Sequence, residues 1–130
     1  MNLFAVIVCI IIYWIIGALW FSPMLLGKAW SESLGKNPEE LGPDIKQALG
    51  TLFTTIIEVF VLAFILDLIG TYDLLIGFLV GLVIGVGYVI TTDLYDVLFE
   101  GKNFKTFIID SGYHVLALSI SGLILGIWQL

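Results

Sequence analysis

An all-α integral membrane protein, folded as one bundle of four transmembrane helices, is what this sequence predicts, and three observations carry the prediction. Hydrophobic residues make up 60% of the chain, charged residues 12%, and the mean hydropathy is +1.11, outside the range of soluble domains. At roughly 20 apolar residues per crossing, the 130 residues accommodate four helices with short connections. All five lysines (Lys28, Lys36, Lys46, Lys102 and Lys105) fall in the two connections on one side, and the chain has no arginine. By the positive-inside rule that side is cytoplasmic, so both termini are expected on the non-cytoplasmic side.

The first helix is expected over about 3–26. The apolar run from Leu3 to Leu19 has no basic n-region and no small-x-small cleavage site, so it reads as a retained helix and not as a signal peptide. Ser22-Pro23 bends or loosens its last turn, since proline removes a backbone donor there. Trp20 and Trp30 read as interface anchors. Residues 27–42 form an amphipathic cytoplasmic loop, in which Trp30, Leu34 and Leu41 dip into the headgroups while Lys28, Glu32, Lys36 and Glu39 stay wet. Within it, Asn37-Pro38-Glu39-Glu40 carries a helix-start pattern.

The second helix is expected over about 43–69, starting at Pro43. Gln47, Thr51, Thr54, Thr55 and Glu58 lie on one stripe that turns apolar at Leu62 and Ile65. At 1.5 Å per residue Glu58 lies roughly 20 Å along this helix, near the bilayer centre. After the Gly70-Thr71-Tyr72-Asp73 turn, the third helix covers about 73–99. Gly77, Gly81 and Gly85 recur every fourth residue, a small-residue stripe that permits close helix contact within the bundle or between copies. The fourth helix covers about 104–128, with Asp110 and His114 on one face, Gly122 and Gly126 repeating the small-residue spacing, and Trp128 at the far interface.

Ionisable groups in such surroundings are functional candidates. Glu58 and His114 reach similar depths, His114 being about 15 Å from Phe104. They are expected to form the floor of a water-accessible, cytoplasm-facing pocket, each offsetting the other's cost of burial. Ser22, Thr92, Asp96, Glu100, Asp110 and Tyr113 complete the candidate ligand- or proton-binding set in the same half of the membrane. Asp96, Glu100, Asp110 and His114 are also weak metal candidates, because oxygen ligands with one imidazole suit a divalent cation. Neither Glu-x-x-His nor His-Glu-x-x-His is present, however. Asp93, Asp96 and Glu100 have the plainer reading of acids at a membrane edge near Lys102 and Lys105. Serines 111, 119 and 121 lack any nucleophile elbow, so the reading leans away from an enzyme.

The net charge of −6 does not mark an acidic docking surface, because the acids sit at helix ends or within apolar segments. No basic patch suits nucleic acid. Cys9 is the only cysteine, which excludes an intrachain disulfide. No cofactor can be named. The expected partners are the lipid bilayer and either further copies of the chain or a larger membrane complex. The expected activity is binding, extending to transport, of a small solute or cation in the acidic and histidine-containing pocket. The alternative is a non-catalytic accessory or scaffold subunit.

Several motifs carry a family resemblance: Met1-Asn2 with the apolar run after it, Gly17-Ala18-Leu19-Trp20-Phe21-Ser22-Pro23, Gly27-Lys28-Ala29-Trp30, Thr91-Thr92, Asp96-Val97-Leu98-Phe99-Glu100-Gly101 and Gly112-Tyr113-His114. Together they span essentially the whole chain, which resembles the small bacterial membrane proteins grouped as domain of unknown function 1761. The resemblance implies a four-helix protein of the bacterial inner (plasma) membrane with no established activity. It draws attention to Ser22, Pro23, Trp30, Asp96, Glu100, Tyr113 and His114. Glu58, Asp93 and Tyr95 lie outside it and rest on the residues alone.

Overall fold

Four stretches long and apolar enough to cross a membrane dominate the computed structural model: Leu3–Trp20, Ile45–Ile69, Leu74–Glu100 and Phe104–Ile127. The structure describes every residue except Leu41, Pro43, Thr71, Gln129 and Leu130, and the description is helical with no strand among the described residues. In order the elements are α1 (Leu3–Trp20), α2 (Gly27–Leu34), a 3-10 turn (Pro38–Glu40), α3 (Ile45–Ile69) and α4 (Leu74–Ile84). A π-helical segment (Gly85–Ile90), α5 (Thr91–Glu100) and α6 (Phe104–Ile127) follow. The expected membrane dip of Leu41 and helix start at Pro43 fall outside the described residues.

Helix limits follow from local capping. Asn2 caps α1 through its side chain, and Asp44 with Gln47 forms a reciprocal capping box on α3. Asp73 caps α4 and Asn103 caps α6. Gly35, Gly70 and Gly101 end their helices in the left-handed conformation, with φ of 68°, 72° and 70°. The first helix stops at Trp20, shorter than the expected 3–26. The Leu26 amide turns back to the Trp20 carbonyl at 3.0 Å, and that of Gly27 to Ser22 at 2.9 Å. A Cβ on Gly27 would lie 2.4 Å from the Phe21 carbonyl oxygen, so this reversal needs a glycine. The chain then continues as the short helix α2, the amphipathic element expected in the loop.

α6 lies at the centre of the bundle. Of its apolar window 44% is buried, against 17–28% for the other spans, and it packs against every other helix of the fold. Its small residues explain this, since Ser111, Ala117, Ser119, Ser121, Gly122 and Gly126 are all buried. The closest approach is to α4. A Cβ on Gly77 would lie 2.0 Å from the Gly122 carbonyl oxygen, one on Gly81 2.1 Å from that of Leu118, and one on Gly126 2.4 Å from that of Asp73. The two glycine stripes therefore pair within one chain, which removes them as a face for joining copies. On the other side of α6, α1 and α3 contribute Ala5, Cys9, Tyr13, Val59, Leu62 and Leu66 to the core. The outer faces carry Ile7, Ile11, Phe53, Phe60, Phe64 and Val83, each between 46% and 65% exposed, as expected where lipid is the solvent.

The third span is not one uniform α-helix. Gly85–Ile90 adopts the wider π turn, with Gly85 held against Val115 of α6. The Thr91 hydroxyl donates to the carbonyls of Gly87 and Tyr88, at 2.7 and 3.0 Å, where the helix tightens again. Beyond this segment α5 buries no residue. At the opposite end of the bundle the Met1 ammonium pairs with Asp67 at 3.0 Å, and Tyr72 donates to the same carboxylate. That bond favours the protonated phenol and raises the Tyr72 pKa above the ordinary tyrosine value.

Candidate functional site

Three helices bring one polar group each to a common level. Counted at 1.5 Å per residue, Tyr13 lies about 10 Å from the Trp20 end of α1, Glu58 about 20 Å from the start of α3, and His114 about 15 Å from the start of α6. The Tyr13 hydroxyl and His114 Nδ1 share a hydrogen bond of 2.7 Å, and Glu58 Oε1 lies 3.7 Å from the same nitrogen. Tyr13 is fully buried, while the side chains of His114 and Glu58 are 31% and 32% exposed. The group is thus anchored in the core and open on one side.

Tyr113 supports it from the next position on α6. Its hydroxyl donates to the Tyr13 backbone carbonyl at 3.3 Å, and its ring meets those of Tyr13 and His114 at 5.5 and 4.7 Å. A Cβ on Gly17 would lie 2.8 Å from the Tyr113 hydroxyl, so the glycine makes room for this ring. From Tyr113 the aromatic contacts continue to Phe21 at 5.4 Å and on to Trp30 of α2 at 4.7 Å. A file of rings therefore joins the amphipathic helix to the midspan pair. Trp20 closes its flank, donating from Nε1 to the Ile109 carbonyl at 2.9 Å. That is a tertiary contact in addition to the interface position expected for Trp20.

The remaining candidates lie elsewhere. Asp110 does not share a partner with His114: it pairs with Lys102 at 3.0 Å, bracing the α5–α6 turn. Asp93 accepts from Ser111 at 3.0 Å. Asp96 is half-buried and Glu100 exposed on α5, and Thr92 is exposed beside them. Ser22 bonds back to the Leu19 carbonyl at 2.7 Å, within its own helix end. The threonine stripe behaves similarly, with Thr51 and Thr54 donating to carbonyls of α3. Among the described residues no three His, Cys, Asp or Glu side chains gather as a metal-binding group. The four weak metal candidates are thus split between the turn, α5 and the midspan pair. A groove of about 440 Å³ between α4 and α6 does not include His114.

Tyr13 is the member that the sequence reading missed. Its signal was present: a hydroxyl in the middle of an apolar run must find a partner when buried, and a histidine at matching depth is one. Chemically the cluster can hold or move a proton. With Nδ1 unprotonated it accepts from the Tyr13 hydroxyl. With the imidazole charged, Nδ1–H becomes a donor toward Tyr13 and the Glu58 carboxylate.

A profile of the family described as "Protein of unknown function (DUF1761)" matches residues 4–126. Neither the curated proteins nor the solved structures give a significant match to the chain. With all but the ends of the chain inside the match, this protein of four membrane-length helices belongs to the DUF1761 family.

Proposed function

We propose that this chain is a multi-pass protein of the bacterial inner membrane, both termini on the non-cytoplasmic side, that binds a small cation or cationic solute at the Glu58–His114–Tyr13 cluster. The observation behind this reading is the meeting of a carboxylate, an imidazole and a phenol from three different helices at one level of the bundle. Placing a polar group at midspan three times over is costly unless the groups serve one another or a ligand. Glu58 supplies the charge that attracts a cation. Oligomerisation fits the same picture, because a second copy would shield the exposed third of the pair from hydrocarbon.

The test uses purified protein melted in chlorides of alkali, alkaline-earth and tetraalkylammonium ions. At least one cation class is expected to raise the melting temperature of the wild type, with at least tenfold higher concentrations needed for Glu58→Gln or His114→Ala. Equal melting of the wild type and the double variant in every salt, with no small molecule in the extract, would instead favour an accessory subunit. One feature fits that second reading. α5 buries no residue and displays Tyr95 and Phe99 stacked at 6.0 Å, 62% and 80% exposed, at the membrane edge where a larger complex would dock.

A further inference from the structure

The face of α6 that carries His114 holds a second charged group one turn nearer the lysine-bearing end. Asp110 precedes His114 by four residues, about 6 Å of helical rise, so the two are neighbours on one stripe. Its carboxylate is engaged: Lys102 Nζ lies 3.0 Å from Asp110 Oδ2, and the two side chains are only 24% and 25% exposed. Lys102 follows Glu100 by two residues and Asp96 by six, yet it pairs across the turn with the acid that stands next to His114. Asp93 is occupied elsewhere, with Ser111 one residue round the helix. Read from the turn inward, the charged groups are Lys102, Asp110, His114 with Tyr13, and Glu58. The first two cancel, and Glu58 is left unbalanced when the imidazole is neutral.

One unbalanced charge decides which valence the site takes. Attraction between a cation and a fixed charge grows in proportion to the ion's charge, whereas the cost of stripping its water grows with the square of that charge. A singly charged ion neutralises Glu58, while a doubly charged ion costs more to dehydrate and leaves the stripe positive. We propose that Lys102 is a resident counter-cation that sets the valence preference of the Glu58–His114–Tyr13 site, holding Asp110 neutralised so that the site favours singly charged over doubly charged cations. This role for Lys102 rests on the cation-binding reading above. Freed from Lys102, Asp110 adds a second negative charge beside His114, the complement that a divalent ion needs. Because the pair is three-quarters buried, salt screens it less than it would an exposed pair.

Titration of the intact protein in neutral detergent with potassium, tetramethylammonium and calcium chlorides tests it, reading the concentration that gives half the maximal rise in melting temperature. Lys102→Met is expected to lower that concentration at least about tenfold for calcium and about threefold for the two monovalent ions, the square-root relation that follows from an attraction proportional to ion charge. Lys102→Gln takes its place should that variant lose its helical circular dichroism. Asp110→Asn, which leaves Lys102 unopposed, should raise the concentration for every salt, and for calcium the most. Combining Lys102→Met with Asp110→Asn restores the charge count and should return all three to wild-type values. Lys105→Met removes an equal charge from the exposed first turn of α6, where this lysine takes part in no ion pair among the described residues, and should leave all three unchanged. The acids of α5 are common to every protein compared, so they drop out of the ratios. Three outcomes overturn the role of Lys102 and leave the site in place: a wild type stabilised by calcium at lower concentration than by either monovalent ion, equal factors for both valences in Lys102→Met, or the same response in Lys105→Met. A wild type that none of the three salts stabilises more than it stabilises Glu58→Gln overturns the cation site itself, and this role with it.

Discussion

Tyr13 and His114 show how one side chain decides the chemistry of another in a dry setting. Nδ1 of His114 has two partners in reach, a phenol at 2.7 Å and a carboxylate oxygen at 3.7 Å, and the nearer one fixes the ring. Tyr13→Phe removes the phenol at nearly constant volume and leaves the buried end of the imidazole facing a bare ring. Loss of about 1–2 kcal/mol of stability is expected, the usual consequence of removing one partner of a buried hydrogen bond. Because His114 is the only histidine in the chain, selective 15N labelling reads the effect without ambiguity. The ring should change tautomer balance in Tyr13→Phe, and unchanged His114 nitrogen shifts would show that the phenol does not control the imidazole. The depth of Glu58 and His114 was legible in the sequence, because helical rise converts residue number into height. Their azimuth was not, and with it went the grouping of Asp110: the two α6 side chains share a face, yet Asp110 is drawn to Lys102 at the turn.

The glycine stripes of α4 and α6 were equally legible as a spacing and silent about their partner. Small residues every fourth position license a close approach, and only the assembled bundle says that Gly77 and Gly81 meet Gly122 and Leu118 of the same chain. The π segment left a fainter trace. Gly85-Val86-Gly87 and Thr91 fit an ordinary apolar helix, and the wide turn becomes necessary only where Gly85 must lie against Val115 while α5 beyond it buries no residue. These two glycines therefore separate packing from propensity. Gly81→Ala places a methyl 2.1 Å from a backbone oxygen that cannot yield without moving a helix, and a loss of about 1–3 kcal/mol is expected. Gly87→Ala meets nothing within 4 Å and should be neutral or stabilising by up to about 1 kcal/mol. Unfolding titrations in mixed micelles measure both, and equal effects would mean that α4 and α6 do not touch through this stripe.

Taken as a whole, the molecule sorts its polar chemistry by height. At one end are Lys102 with Asp110, Ser111 with Asp93, and the hydrogen bond of 2.6 Å from Thr106 to Ser33 that ties α2 to α6. At the other are the Met1 ammonium with Asp67 and Tyr72. Between them the Glu58–His114–Tyr13 group lies among apolar side chains. This asymmetry gives the lysine distribution a physical consequence: the end holding α2 and the α5–α6 turn carries all five lysines, and that end should stay in the cytoplasm. Cys9 is buried in the core and bonded to the Ser121 carbonyl, so a Cys9→Ala background leaves introduced cysteines as the only reactive thiols. Asn37→Cys sits in the exposed loop after α2, and Leu74→Cys sits at the exposed start of α4 on the opposite side. A membrane-impermeant maleimide added to intact spheroplasts is expected to label Leu74→Cys at once and to reach Asn37→Cys only after the membrane is permeabilised. The reverse pattern would invert the proposed topology.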